Sequence, residues 1–112
     1  MSTVPGAGDI VWLNFTPQSG KEQAGKRPGL VLSSRTYNDK VGLMVVCPIT
    51  SKTKGYVFEV VLPDGLAVSG AVLSDHVKSV DWRARGASIV DTVPSETLKD
   101  VLAKIKALLA IN

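Results

Sequence analysis

The chain has 112 residues, 45% hydrophobic and 21% charged, which suits one domain with a hydrophobic core, spanning residues 1–112, and is too short for two. A single cysteine and a single histidine exclude a disulfide-stabilised fold and a zinc site built from Cys and His ligands. The apolar stretches are shorter than a membrane span and the N-terminus lacks a signal-peptide pattern, which predicts a soluble cytoplasmic protein.

The net charge of +3 is distributed unevenly along the chain. Residues 20–54 carry seven lysines and arginines against two acidic residues, and the rest of the chain is slightly acidic. A basic segment on a nearly neutral domain favours a phosphate-rich partner, because neutralising phosphates releases counterions. Solvated loops show the same pattern, and on charge alone this second interpretation is favoured.

The apolar runs in the first four-fifths of the chain predict several short strands. The first is Ile10 to Phe15, with much of both faces buried and Trp12 in the core, and a long polar loop follows it as far as Pro28. Phe58 is also expected in the core. Further strands are predicted at 30–32, 43–47, 56–62, 70–74, 77–82 and 87–90.

The hydrophobic period changes after Pro94, where leucine, valine and isoleucine recur every three or four residues from Leu98 to Leu109. This spacing predicts an amphipathic helix with one apolar stripe. Short strands followed by one terminal helix indicate a mainly β, α+β domain, namely a small, strongly bent barrel closed by the helix.

Two polar segments next to predicted strands are the best candidates for chemistry. In the first, Glu22 can act as a general base, and Arg27 can bind a phosphate through two parallel hydrogen bonds and stabilise developing charge. In the second, the hydroxyls and lysines of residues 50–54 can cradle a phosphate or a ribose. A weak salt bridge in a loop and a hydrophilic turn are the alternatives.

A third cluster contains Asp75, His76, Arg83 and Arg85. Arg83 and Arg85 have the same parity on an extended strand, so both can face an anionic ligand or form a solvated strand end. For His76 a surface or structurally bonded imidazole is favoured over a catalytic one. Cys47 lies within an apolar run and is expected to be a buried structural thiol.

Five motifs taken together resemble the MazF/PemK family of toxin endoribonucleases, and most closely its MazF branch. They cover almost the whole chain in the order and spacing of the family. Lys21 and Leu73 depart from the PemK branch, which has His and Arg there, and His76 stands where the MazF branch tends to have Gln. The motifs are Gly8-Asp9-Ile10-Val11-Trp12, residues 22–28, Pro48-Ile49-Thr50-Ser51, residues 54–60 and residues 75–86.

The resemblance implies an SH3-like barrel of the MazF/PemK/CcdB type with a C-terminal helix, assembled as a homodimer. It further implies sequence-specific cleavage of single-stranded RNA (mRNA) without a metal or other cofactor, and neutralisation by a MazE-like antitoxin whose acidic C-terminal tail occupies the RNA site. The catalytic residues of the family match Glu22, Arg27 and Thr50. Attack by the ribose 2′-hydroxyl then gives 2′,3′-cyclic phosphate and 5′-hydroxyl ends.

Contacts to the RNA are expected from side chains around this set, because single-stranded RNA is recognised through base edges and through neutralisation of its backbone. A noncatalytic toxin on the same barrel, acting on a protein such as DNA gyrase, is the alternative function. Such a toxin has no reason to keep the Glu22, Arg27 and Thr50 set. The expected RNA-binding residues are Gln23, Lys26, Ser51, Lys54, Asp75, His76, Arg83 and Arg85.

Overall fold

A computed structural model of the protein describes residues 4–15 and 25–111. A short 3-10 turn, Ser74–His76, joins the fifth and sixth strands. The strands and α-helices of the described residues are β1 (Asp9–Asn14), β2 (Lys26–Val31), α1 (Arg35–Val41), β3 (Leu43–Thr50), β4 (Glu59–Val61), β5 (Ala71–Leu73), β6 (Lys78–Asp81), β7 (Ser88–Thr92) and α2 (Ser95–Leu108).

The strands form one antiparallel, strongly bent sheet in the order β4-β5-β3-β2-β1-β7, with β6 also paired to β3. β3 is the central strand: its first half pairs with β6, and its end, Ile49 and Thr50, pairs with β5. Among the described strands β4 and β7 end the order, so the sheet curls into a barrel-like shape without closing. The predicted mainly β fold with a C-terminal helix is confirmed.

The core consists of two clusters, because alternate residues of a strand face opposite sides of the sheet. Ile10, Leu30 and Cys47 belong to the cluster that Val101 of α2 covers. Val11 and Leu13 of β1 belong to the other cluster, together with Met44, Val46 and Trp82. Apart from Trp12, the apolar residues of β1 are buried as predicted. Part of the apolar stripe of α2 packs on the core, through Leu98, Val101 and Ile105, whereas Leu102, Leu108 and Leu109 are exposed.

Helix α1 was missed by the sequence analysis. The Ser34 hydroxyl accepts a hydrogen bond from the Tyr37 amide at its start, and Gly42, with φ of 83°, ends it in the left-handed conformation. The helix buries only Asn38, whose side-chain amide donates to the Pro5 carbonyl. A seven-residue helix with one buried polar residue leaves no apolar stripe in the sequence.

Three further expectations need correction. β2 begins at Lys26, so Arg27 lies on a strand and not on the predicted loop. β4 contains only Glu59–Val61 of the predicted 56–62 strand. Trp12 is 37% exposed and not a core residue, because its cross-strand partner Pro28 lies near the open end of the β1–β2 pair. Neither helix of the described residues has the length and apolar character that a membrane span requires.

Candidate functional site

Arg27 lies at the start of β2, and Thr50 lies at the end of β3, the strand that pairs with β2. The pairing of β2 with β3 runs from Gly29 opposite Pro48 to Val31 opposite Val46. Arg27 and Thr50 each lie two residues beyond the Gly29–Pro48 pair, where Arg27 pairs with Leu13 of β1 and Thr50 pairs with Ala71 of β5. Two of the three residues that the resemblance marks as catalytic therefore lie on neighbouring strands, at the same end of the pair.

The end of β3 separates two clefts, which we call the first and the second cleft. Thr50 lines the first and Ser51 the second, as expected for consecutive residues of an extended chain. The first cleft has a volume of about 390 Å³ and is lined by Thr50, Lys52, Lys54, Tyr56, Glu59, Leu73 and His76. The second has a volume of about 340 Å³ and is lined by Trp12, Lys26, Arg27, Pro28, Ile49, Ser51 and residues 67–69.

One wall of the first cleft is the segment 52–58, which we call the 52–58 loop. The Glu59 carboxylate accepts hydrogen bonds from the backbone amides of Lys54 and Gly55, with its Oε1 at 3.0 Å and 3.1 Å. The Tyr56 hydroxyl donates to Asp75 Oδ2 at 3.0 Å, which ties the loop to the 3-10 turn. Hydrogen bonds thus hold this wall at two points.

The 3-10 turn places His76 in the lining of the first cleft, and the neighbouring Asp75 is the hydrogen-bond partner of Tyr56. His76 Nε2 lies 3.8 Å from Asp75 Oδ1, and His76 is more exposed than Asp75. The hydrogen bond to Asp75 and the negative charge of that carboxylate raise the pKa of Tyr56, because both stabilise the neutral phenol. Tyr56 is therefore a neutral hydrogen-bond donor at physiological pH.

The remaining cationic candidates lie at different places. Lys26 lines the second cleft, and Arg85 lies near it, because the Arg85 guanidinium donates to the carbonyl of Asn14, the cross-strand partner of Lys26. Arg83 lies elsewhere: its guanidinium stacks on the Trp82 ring at 4.3 Å. Neither arginine is on the extended strand that the sequence predicted, since turns follow β6.

Arg83 is also separated from the clefts along β3. Its guanidinium lies 3.8 Å from the Asp39 carboxylate of α1. Asp81, two residues before it, pairs with Leu43 at the beginning of β3, whereas Thr50 is at the end. An eight-residue strand spans roughly 25 Å, so within one chain Arg83 and Thr50 are at opposite ends. Glu22 and Gln23 lie outside the described residues.

Two further side chains line the clefts although they were not predicted as site residues: Trp12 and Glu59. Trp12 offers a partly exposed ring for stacking beside Arg27. The sequence of β1 could have indicated that Trp12 is exposed, because Trp12 and Asn14 share a face of the strand that becomes polar toward its end. Glu59 lies within the motif of residues 54–60, but nothing in the sequence shows that its side chain lines a cleft.

The Cys47 thiol is completely buried in β3, close behind the first cleft. Burial, together with the negative charge of Asp75, raises the pKa of Cys47 from 9.0 to about 12. We therefore expect iodoacetamide at about pH 8 to leave the folded chain unmodified and to alkylate Cys47 fully after unfolding in urea, as measured by mass spectrometry. Rapid alkylation of the folded chain would contradict this assignment.

The same shift predicts an alkaline loss of stability. Because the pKa of Cys47 is higher in the folded chain, the thiol's contribution to the free energy of unfolding is fully present below pH 9.0 and is lost as the pH rises toward about 12. Between these two pH values the free energy of unfolding should therefore fall more steeply in the wild type than in Cys47→Ala. Urea titrations of both chains at a series of pH values measure the difference.

The chain matches known proteins over nearly its whole length. The family of PemK-like, MazF-like toxins of type II toxin-antitoxin systems matches residues 7–109. The endoribonuclease toxin MazF of Escherichia coli (strain K12) is 49% identical over 106 residues, which are 95% of each chain. A crystal structure of MazF from Deinococcus radiodurans superposes with a TM-score of 0.93 at 54% identity, covering 98% of this chain and 100% of the other.

A second solved structure contains a further component. The MazE-MazF crystal structure (Form-II) from Deinococcus radiodurans superposes with a TM-score of 0.91 at 53% identity, covering 99% of this chain and 100% of the matched chain. These matches agree with the resemblance inferred from the five motifs.

Proposed function

The chain belongs to the family of PemK-like, MazF-like toxins of type II toxin-antitoxin systems, and from this premise we propose how its two clefts bind and cleave single-stranded RNA. It is an endoribonuclease toxin. The observation that carries the proposal is that Arg27 and Thr50 lie at the same end of the neighbouring strands β2 and β3, with Lys26 and Lys54 in the two clefts at this end. A guanidinium, a hydroxyl and ammonium groups around one strand end suit a phosphodiester.

In the proposed reaction the ribose 2′-hydroxyl attacks the adjacent phosphorus. Glu22 takes the proton of the hydroxyl, the 2′-oxygen forms a bond to phosphorus, and the bond from phosphorus to the 5′-oxygen breaks. Arg27 stabilises the charge that develops on the phosphoryl oxygens, and Thr50 orients one of them. The products are a 2′,3′-cyclic phosphate and, once the leaving oxygen gains a proton, a 5′-hydroxyl end.

The Thr50 hydroxyl is already held in place in this structure. Its Oγ1 accepts a hydrogen bond from the Lys52 backbone amide at 3.1 Å. The hydroxyl hydrogen therefore remains available to donate to a phosphate oxygen. This arrangement supports an orienting role for Thr50, with the backbone of the 52–58 loop as its support.

We assign RNA contacts in the first cleft to Lys54, Asp75 and His76, and in the second to Lys26 and Ser51, with Arg85 near its edge. Arg83 is a weaker candidate within one chain, because it pairs with Asp39 at the far end of β3. Gln23 is retained as an expected contact from the family resemblance.

The proposal extends to assembly and location. A MazE-like antitoxin, as in the matched MazE-MazF structure, is the partner that we expect to block the clefts with an acidic segment. We further propose a homodimer acting in the cytoplasm, where the RNA substrate is present. A gyrase-directed toxin is not favoured, because the curated relatives of this chain are endoribonucleases.

The direct test is incubation of the purified, antitoxin-free protein with a long single-stranded RNA in the presence of EDTA. We expect discrete cuts, mapped by primer extension, whose 5′ ends are hydroxyls and whose 3′ ends are cyclic phosphates. Cleavage only after a divalent metal is added would overturn the metal-independent mechanism. Intact RNA across diverse sequences, from protein shown to be folded, would overturn the proposed function itself.

A further inference from the structure

Glu59 is the acidic residue in the lining of the first cleft, which also contains two lysines and His76. We propose that Glu59 is a positioning residue, which fixes the 52–58 loop so that the first cleft receives RNA beside Thr50. The inference rests on the proposed function and extends it to the residue that sets the shape of the substrate site.

The Glu59 carboxylate accepts hydrogen bonds from the backbone of the 52–58 loop. Its Oε1 accepts from the amides of both Lys54 and Gly55, and its Oε2 lies 3.2 Å from the Lys54 amide. Hydrogen bonds to a charged acceptor are stronger than those between neutral groups. Gly55 has φ of 72°, a left-handed conformation that turns its amide toward the carboxylate side of the loop.

The 52–58 loop has little else to hold its shape. Residues 51–57 are all exposed, so burial of apolar side chains contributes little to their order. The other hydrogen bonds of the loop join the Lys52 amide to the Thr50 hydroxyl, the Glu59 amide to the Tyr56 carbonyl at 3.0 Å, the Tyr56 hydroxyl to Asp75, and the Ser74 amide to the Phe58 carbonyl. Glu59 is therefore the partner of the Lys54 and Gly55 amides, the part of the loop that determines where Lys54 stands in the cleft.

Positioning and simple electrostatics predict opposite effects for loss of this carboxylate. If Glu59 acted only through its charge, removing it would strengthen RNA binding, because the repulsion of phosphates would disappear. If it fixes the loop, removing it weakens RNA binding, because Lys52 and Lys54 lose their preferred positions. A shorter carboxylate separates the two roles further, since Glu59→Asp keeps the charge but falls short of the loop amides.

The experiment measures cleavage of a short fluorogenic RNA that contains a wild-type cut site. We expect KM to rise roughly tenfold in Glu59→Ala and in Glu59→Asp, with kcat within about twofold of wild type. Glu96→Gln, which removes an exposed carboxylate from the first turn of α2, is the matched control and should leave both constants unchanged. Unfolding curves of all variants show whether the fold is intact.

A second substitution, at Gly55, changes the 52–58 loop and leaves every carboxylate in place. A Cβ on Gly55 meets no atom within 4 Å, so Gly55→Ala disturbs only the left-handed backbone conformation. We expect it to raise KM in the same way as Glu59→Asp. In both variants hydrogen exchange at the Lys54 and Gly55 amides should become faster, while exchange in β3 stays at the wild-type rate.

Each outcome decides one question. A lower KM in Glu59→Ala with an unchanged KM in Glu59→Asp would overturn positioning in favour of a purely electrostatic role. Faster amide exchange without any change in KM would show that the loop does not shape the substrate site, which also overturns the inference. If the wild type cleaves no RNA, the proposed function fails, whereas normal cleavage by all Glu59 variants rejects only the role of Glu59.

Discussion

Replacing Arg27 by alanine is expected to lower the rate of RNA cleavage by about 10²–10³-fold, the usual cost of removing one donor that stabilises a charged transition state. The proposed role of Arg27 is to hold the phosphoryl oxygens while negative charge accumulates on them. The position is suited to such a role, because Arg27 pairs with Leu13 of β1 at the start of a strand whose later residues, Gly29 to Val31, also pair with β3.

The loss should be chemical and not structural. Arg27 is exposed, and its backbone pairs with Leu13 of β1, so alanine keeps the strand pairing. Arg27→Lys retains the charge but lacks the two-pronged guanidinium, and we expect it to recover only a minor part of the rate. Lys99→Ala on the exposed face of α2 is the control for loss of one positive charge far from the clefts.

Rates should be measured with the RNA at saturating concentration, so that weaker binding does not imitate slower chemistry. The corresponding variant of the proposed base, Glu22→Gln, should lose cleavage to a similar extent while remaining folded. Substantial cleavage by both variants would show that the assigned roles are wrong.

The sequence predicted those parts of the fold in which apolar residues recur at the regular spacing of a helix or form a continuous run in a strand. In α2 the apolar residues recur at helical spacing and part of the stripe, including Val101, packs on the sheet, and in β1 the apolar residues other than Trp12 are buried. Helix α1 lacks such a period, because it is held by the Ser34 and Gly42 ends and by the buried hydrogen bonds of Asn38. Trp82 joins this network, since its indole donates to the Asn38 carbonyl.

The site was predictable to the extent that its residues lie within motifs. The resemblance marked Arg27 and Thr50, and the pairing of β2 with β3 places them at the same end of two neighbouring strands. Glu59 could not be chosen in the same way, because its role depends on where the Lys54 and Gly55 amides point after the loop has turned. For Arg83 and Arg85 the sequence prediction was wrong. It placed both on one face of an extended strand, but the residues after β6 form turns.

The second large effect is expected at Gly70, which lies against the backbone of Thr50. A Cβ added there would stand 2.1 Å from the Thr50 carbonyl oxygen and 3.2 Å from Ser51 Cα. These atoms belong to the backbone at the end of β3, so they cannot move away by a side-chain rotation. The φ of Gly70, 124°, adds conformational strain for any residue with a side chain.

Gly70→Ala should therefore damage stability and activity together. We expect the free energy of unfolding to fall by about 2–5 kcal/mol, combining the cost of overpacking with that of the strained backbone. Thr50 must shift to relieve the contact, so RNA cleavage should be strongly reduced even well below the lowered melting temperature. Thermal unfolding and cleavage assays over a temperature series measure the two effects separately.

Gly65→Ala is the matched control, because Gly65 also has a positive φ, 92°, but a Cβ there meets no atom within 4 Å. It should lose only the strain component, about 1–2 kcal/mol, and keep wild-type cleavage at low temperature. The difference between the two variants isolates the contact with Thr50. Equal losses of stability and of cleavage in both would mean that backbone strain alone is responsible and that Gly70 has no special role in placing Thr50.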